Sequence, residues 1–200
     1  ASMPISQRPE HHDLSLKHAS WLTMKYPNAY SVELDLTYAF MSFEDIMKDK
    51  KFTSDIGLAN SKARLRMMTL YQIAASTSGI VVGTGNKVED FGVGFYTKYG
   101  DGGVDISPIA DCNKTQVWDM GKELGILEEI QMAEPTDGLW SDGRTDTDQL
   151  GMSYKQIEFL MDRPDEPGYE KYLAIRKKNL HKMKSIPVCK FDGKTSLDTD

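Results

Sequence analysis

Gly79-Ile80-Val81-Val82-Gly83-Thr84-Gly85-Asn86-Lys87 is the stretch on which the fold turns. Residues 58–77 before it place Ala63, Met67, Leu70 and Ala74 on one helical face, with Asn60 or a residue before it as the cap. Gly79 stops that helix, and residues 80–82 form a short buried strand. The loop that follows, residues 83–105, is rich in glycine and carries two lysines and four carboxylates. Small residues at a strand end allow close backbone approach, and charges of both signs suit a polyanion that carries a metal ion.

Outward from this point, helices and strands alternate. Residues 12–25 are expected to form a helix ended by Tyr26-Pro27-Asn28. Residues 30–36 alternate in period two as a strand, and Thr37 caps a short helix through residue 47. Residues 48–51 are an exposed connection. Asn113 caps a helix over 114–124 that Gly125 stops, and Ser153 opens one to residue 161. A basic helix spans 169–183, and residues 186–191 form a last short strand. Residues 136–149, rich in glycine and aspartate, read as a flexible, lid-like loop, and 192–200 as a frayed tail. The class this implies is α/β, with a mostly parallel sheet flanked by helices in one domain.

Composition excludes several functions. A net charge of −6 argues against general nucleic-acid binding. No apolar run reaches the ~20 residues of a membrane span. Two cysteines, Cys112 and Cys189, lack the spacing of a zinc site or a disulfide framework. They read as reduced thiols of a cytoplasmic protein. His11, His12 and His18 have no matching ligand set and read as surface residues.

From Gly83-Thr84-Gly85-Asn86-Lys87 onward the chain resembles the ammonia-dependent NAD synthetases. The likeness continues through Phe95-Tyr96-Thr97-Lys98-Tyr99-Gly100-Asp101-Gly102-Gly103-Val104-Asp105. It takes in Ala63-Arg64-Leu65-Arg66, Lys114-Thr115-Gln116-Val117, Glu134-Pro135-Thr136, residues 146–151 and His181-Lys182, and so covers roughly residues 28–185. The resemblance implies a Rossmann-like ligase that amidates deamido-NAD. ATP adenylates the nicotinate carboxylate, and ammonia then displaces AMP. It also implies a cytoplasmic homodimer with the dinucleotide site near the subunit interface.

Carried over by position, Glu89 matches the family's magnesium ligand. Thr84, Lys114 and Thr136 match ATP contacts. Arg64, Lys98, Asp105, His181 and Lys182 match contacts to deamido-NAD. Residue chemistry allows plainer roles beside these: Lys98 can pair with Asp101 or Asp105, and residues 176–184 can be a solvated basic face. Trp140 can stack on a ring or anchor its own loop. Gly100, Gly102 and Gly103 are expected to supply positive φ or close approach. Lys114 stands out independently, because a cation at a helix start opposes the dipole and invites an anion.

Family members carry a Ser-Gly-Gly-x-Asp-Ser loop after their first strand, and no such run occurs in these 200 residues. Residues 3–5 resemble the family's second strand. The expectation is therefore a chain without the first strand and phosphate loop, with weak ATP binding and little ligation on its own. A non-catalytic deamido-NAD-binding or dimerisation module is the alternative. A related ATP pyrophosphatase with a different acceptor would not share the 97–105 run. No glutamine amidotransferase segment accompanies the domain, so free ammonia is the implied nitrogen donor.

Overall fold

A computed structural model describes residues 1–191. The frayed tail expected at 192–200 lies outside the described residues. In chain order the helices are α1 (Pro9–Lys25), α2 (Thr37–Asp49), α3 (Asp55–Thr77), α4 (Lys114–Glu123), α5 (Glu128–Gln131), α6 (Asp146–Leu150), α7 (Tyr154–Met161) and α8 (Tyr169–Met183). A widened, π-type turn, Val88–Val93, lies between α3 and α4.

Several helix boundaries follow from local chemistry. Ser54, rather than Asn60, caps α3, its hydroxyl accepting from the Gly57 N–H at 3.3 Å. Asn60 lies inside the helix and accepts from the Thr97 hydroxyl at 2.8 Å. The end of α3 is Ser78 in the left-handed region at φ 53°, one residue before the expected Gly79. Asp35, not Thr37, serves the start of α2, taking the Thr37 N–H at 2.8 Å. α2 runs to Asp49, so Lys48 is helical and pairs with Glu44 at 3.2 Å. Asn113 and Ser153 start their helices as expected, and each does so through a capping box, with Gln116 and Gln156 respectively.

Parallel pairing is present but brief. Among the described residues, Ser2 bridges Glu33 and Val82 bridges Ile106, both in parallel. The Ser2 N–H donates to Val32 and the Leu34 N–H to Ser2, each at 2.8 Å, so the expected 30–36 strand pairs mainly about one residue. Beyond Met183 a bridge conformation occurs at Cys189.

The main core joins Val88 and Val93 of the π-type turn to Leu150, Met152, Tyr154, Ile157, Leu160 and Tyr172. Val88, Val93 and Ile157 are fully buried, each stabilising by about 1.5–3 kcal/mol relative to exposure. This core welds α7 and α8 to the π-type turn. Met67 and Ala74 of α3, with Leu70 beside them, pack on Val81 in a second cluster. The face predicted for α3 is thus the one that packs.

Candidate functional site

Asn86 organises the loop that follows Val82. It is only 2% exposed, and its side-chain oxygen accepts from the N–H groups of Val88 at 3.0 Å and Glu89 at 3.2 Å. That cap starts the π-type turn and fixes Glu89. Three further side chains reach this point from first helical positions: Lys114 of α4, Asp146 of α6 and Tyr154 of α7. Lys114 Nζ lies 2.7 Å from Glu89 Oε1, with each side chain 17% exposed. The Tyr154 hydroxyl is 2.8 Å from the same oxygen and 2.6 Å from Asp146 Oδ2. Lys114 also sits 4.6 Å above the Tyr154 ring.

The electrostatics follow from this crowding. Burial, reinforced by Glu89, pushes the Asp146 carboxyl above its ordinary range. Burial and the two carboxylates likewise hold the Tyr154 phenol strongly neutral. Burial first, then Glu89 and Asp101, raises Asp90 to about 6. Asp146 Oδ1 is buried without a hydrogen-bond partner.

Thr84, Lys114 and Thr136 line one cleft of about 690 Å³. His11 and His18 border it too, both half-buried with their Nδ1 atoms enclosed, which corrects their reading as surface residues. His12 remains peripheral, 3.1 Å from Glu33. Burial there has a simple cause: His11, Leu14 and His18 share one face of α1, and that face looks into the cleft.

A second cleft, about 800 Å³, is bordered by Arg66, Thr97, Asp101, Trp140, His181 and Lys182. Asp137 borders both clefts. Beside the second, Arg64 Nε donates to the Lys98 carbonyl at 3.2 Å, and Lys98 Nζ to the His181 carbonyl at 3.3 Å. Lys98 thus takes a carbonyl rather than the loop carboxylate of its plainer alternative role. Lys182 donates to the carbonyls of Gly94 and Tyr96 at 2.8 and 2.7 Å, and burial lowers its pKa. Four of the five residues expected at the dinucleotide therefore gather. Asp105 stands apart, its carboxylate taking the Val81 N–H at 2.7 Å and the Tyr71 hydroxyl at 3.0 Å. Tyr71 is two turns beyond Arg64 on α3, roughly 10 Å along the axis.

Gly100, Gly102 and Gly103 do not have positive φ; Tyr99 does, at 66°. A side chain at Gly102 would instead collide with the Tyr96 ring. The 136–149 segment is knit together: Trp140 Nε1 donates to Gln149 at 3.0 Å, Arg144 lies 4.2 Å over the Trp140 ring, and residues 146–149 belong to α6. Trp140 anchors its own loop. Asp146 and Tyr154 were not singled out from sequence. Their signal was a cap followed by a functional side chain, as in Thr145-Asp146 and Ser153-Tyr154.

A family model described as NAD synthase matches residues 2–196. An NH(3)-dependent NAD(+) synthetase of Carboxydothermus hydrogenoformans is 39% identical over 159 residues, covering 80% of this chain and 63% of that protein. One from Methanosarcina acetivorans is 35% identical over 186 residues, covering 85% and 70%. The chain thus spans about two thirds of the length of these relatives. Among solved structures, an NMN synthetase from Francisella tularensis superposes with a TM-score of 0.83 at 30% identity, covering 94% of this chain and 77% of that one. An NH3-dependent NAD synthetase from Campylobacter jejuni gives 0.67 at 23% identity, covering 94% and 76%, a likeness of fold alone. The Rossmann-like α/β class expected from the sequence holds.

Proposed function

The chain belongs to the NAD synthase family, and on that premise we propose that it carries the site for ATP-dependent amidation of deamido-NAD with ammonia. The observation that carries this reading is the meeting of Lys114 and Glu89 at 2.7 Å, with Lys114 in the cleft that Thr84 and Thr136 also line. A carboxylate is a poor electrophile, and ATP and a dinucleotide acid repel one another. Adenylation gives the acid a leaving group, and cations must screen the approach. In this reading Lys114 takes a phosphate of ATP, while Thr84 and Thr136 hold the nucleotide. Arg64, Lys98 and Lys182 supply positive charge to the acid's diphosphate, and His181 lies beside them as a hydrogen-bonding side chain. Asp105, set apart from these four, would serve the far end of the acid by accepting from a ribose hydroxyl while keeping its bond from the Val81 N–H.

Magnesium fits the donors present. Among the described residues no group of three or more His, Cys, Asp or Glu could hold a metal ion. Magnesium, however, is commonly held by one or two carboxylates with phosphate oxygens and water. Glu89 is such a carboxylate; when bound, the ion would neutralise phosphate charge. Asp137, bordering both clefts, marks where the adenylated carboxylate would meet ammonia.

The 30% identical NMN synthetase favours a second acid, the nicotinate mononucleotide, at the same site. The reading also carries a cytoplasmic homodimer. Among the described residues no helix is long and apolar enough to cross a membrane. Tyr38, Ile46, Phe52 and Ile56 are exposed apolar side chains that a second copy could cover.

Single-turnover reactions with protein in excess over acid, ATP, magnesium and ¹⁵N-ammonium test this directly. Turnover is expected to be slight in a chain without the Ser-Gly-Gly-x-Asp-Ser run, but whatever forms should comprise equal amounts of AMP and ¹⁵N-labelled amide, from deamido-NAD in preference to the mononucleotide. Binding of the acid without AMP release would replace this reading with that of a non-catalytic module.

A further inference from the structure

Lys114 and Tyr154 both use Oε1 of Glu89, and neither engages Oε2. The carboxylate is held from one side with its other oxygen left to a ligand. Tyr154 is 4% exposed and starts α7, which packs on both α4 and the π-type turn. Its ring is fixed by the core, with Trp118 set edge-on at 6.2 Å. Its hydroxyl donates its one proton to Glu89, and its oxygen accepts from the carboxyl of Asp146, so the phenol ties the two together when the Asp146 carboxyl supplies the second proton.

Asp146 connects this group to the 136–149 segment. Its N–H donates to the Pro135 carbonyl at 3.0 Å, closing the base of that segment. Beside it the Thr136 hydroxyl donates to the Arg144 carbonyl at 3.0 Å. Within its own carboxylate, Oδ2 meets Tyr154 while Oδ1 is buried and unpartnered. The bond to Tyr154 is thus the side-chain link between the segment's base and Glu89.

We propose that Tyr154, fixed by Asp146, is a positioning residue that holds Glu89 for a metal-loaded nucleotide and couples it to the segment bearing Thr136. This rests on the reading of Glu89 as the metal-binding carboxylate. Nucleotide contact at Thr136 and metal contact at Glu89 then reinforce one another. ATP with magnesium binds more tightly than ATP alone by a factor that depends on the tyrosine hydroxyl.

Calorimetric titration with ATP, in magnesium and in EDTA, tests this on the full chain, Tyr154→Phe, Asp146→Asn and Glu89→Gln. The unsubstituted chain should gain at least tenfold from magnesium. Tyr154→Phe should lose most of that gain while its EDTA affinity stays within twofold, a split that general loosening would not produce. Asp146→Asn can donate an amide N–H to the phenol oxygen while the phenol donates to Glu89, and should keep the gain within about threefold. Melting temperatures of the variants verify folding. Full magnesium enhancement in Tyr154→Phe overturns the positioning role and leaves the functional reading standing. No enhancement in the unsubstituted chain, with Glu89→Gln indistinguishable from it, overturns both.

Discussion

Replacing Lys114 with methionine removes the cation from a pair 2.7 Å apart in which each side chain is 17% exposed. Losing one partner of a fully buried pair costs about 3–5 kcal/mol, and an exposed pair contributes about 0.2–1 kcal/mol. This pair lies between those limits, and Glu89 keeps the Tyr154 hydroxyl as a donor. About 2 kcal/mol is a fair loss, offset by about 0.5 kcal/mol because a cation leaves the first turn of α4. The net, about 1.5 kcal/mol, corresponds to a fall of roughly 3–6 °C in Tm for a chain of this size. Glu89→Gln should cost a similar amount by stranding Lys114. In the double variant neither charge is left alone, so the cycle should give a coupling of about 1–2 kcal/mol. Urea melts followed by circular dichroism, at low and at 0.5 M salt, measure it, and the coupling should survive salt because the pair is largely enclosed. Strict additivity of the two substitutions, or a coupling that salt abolishes, would refute this.

Three further outcomes are expected. Asp90, raised from 3.8 to about 6 chiefly by burial, keeps its proton in the folded chain between about pH 4 and 6 after the unfolded chain has lost it. Its contribution is therefore full below about pH 4 and is lost as pH rises through 6; Asp90→Asn should gain about 1–2 kcal/mol over the parent at pH 7, after discounting for solvent screening, and almost nothing at pH 4. Gly94 sits at φ 66°, and a Cβ there would lie 2.7 Å from Asn179 Cβ of α8, so Gly94→Ala should cost about 2–4 kcal/mol in chemical denaturation. Asp105→Ala strands the N–H of Val81, which is 6% exposed, so it should cost about 1–3 kcal/mol even without ligand, whereas Asp105→Asn should recover most of that loss.

Those features that one helix or one turn determines were legible in the sequence. The helix starts at Asn113 and Ser153 and the packing face of α3 need only neighbours within four residues, and each formed as read. Ser78 displaced Gly79 as the end of α3 because a single non-glycine residue can take the left-handed conformation, as Ser78 does at φ 53°. The alternation at 30–36 suggested a strand, but alternation does not state how many neighbours an extended run will find; here Glu33 makes only an isolated bridge to Ser2. The resemblance named Glu89 and Lys114, and their contact was invisible because 25 residues separate them. Tyr154 and Asp146 were missed because their role arises only where three helix starts converge. His11 and His18 were misread for the same reason: nothing local to α1 indicates that its face looks into a cleft.

Heteronuclear NMR titration with deamido-NAD, and then with ATP and magnesium, tests the site assignment most directly. The acid should move the resonances of Arg64, Lys98, His181 and Lys182, and the nucleotide those of Thr84, Glu89, Lys114 and Thr136, with Asp137 responding to both. Shifts confined to other surfaces, or one set of residues answering both ligands indiscriminately, would contradict the assignment of acid and nucleotide to adjoining clefts.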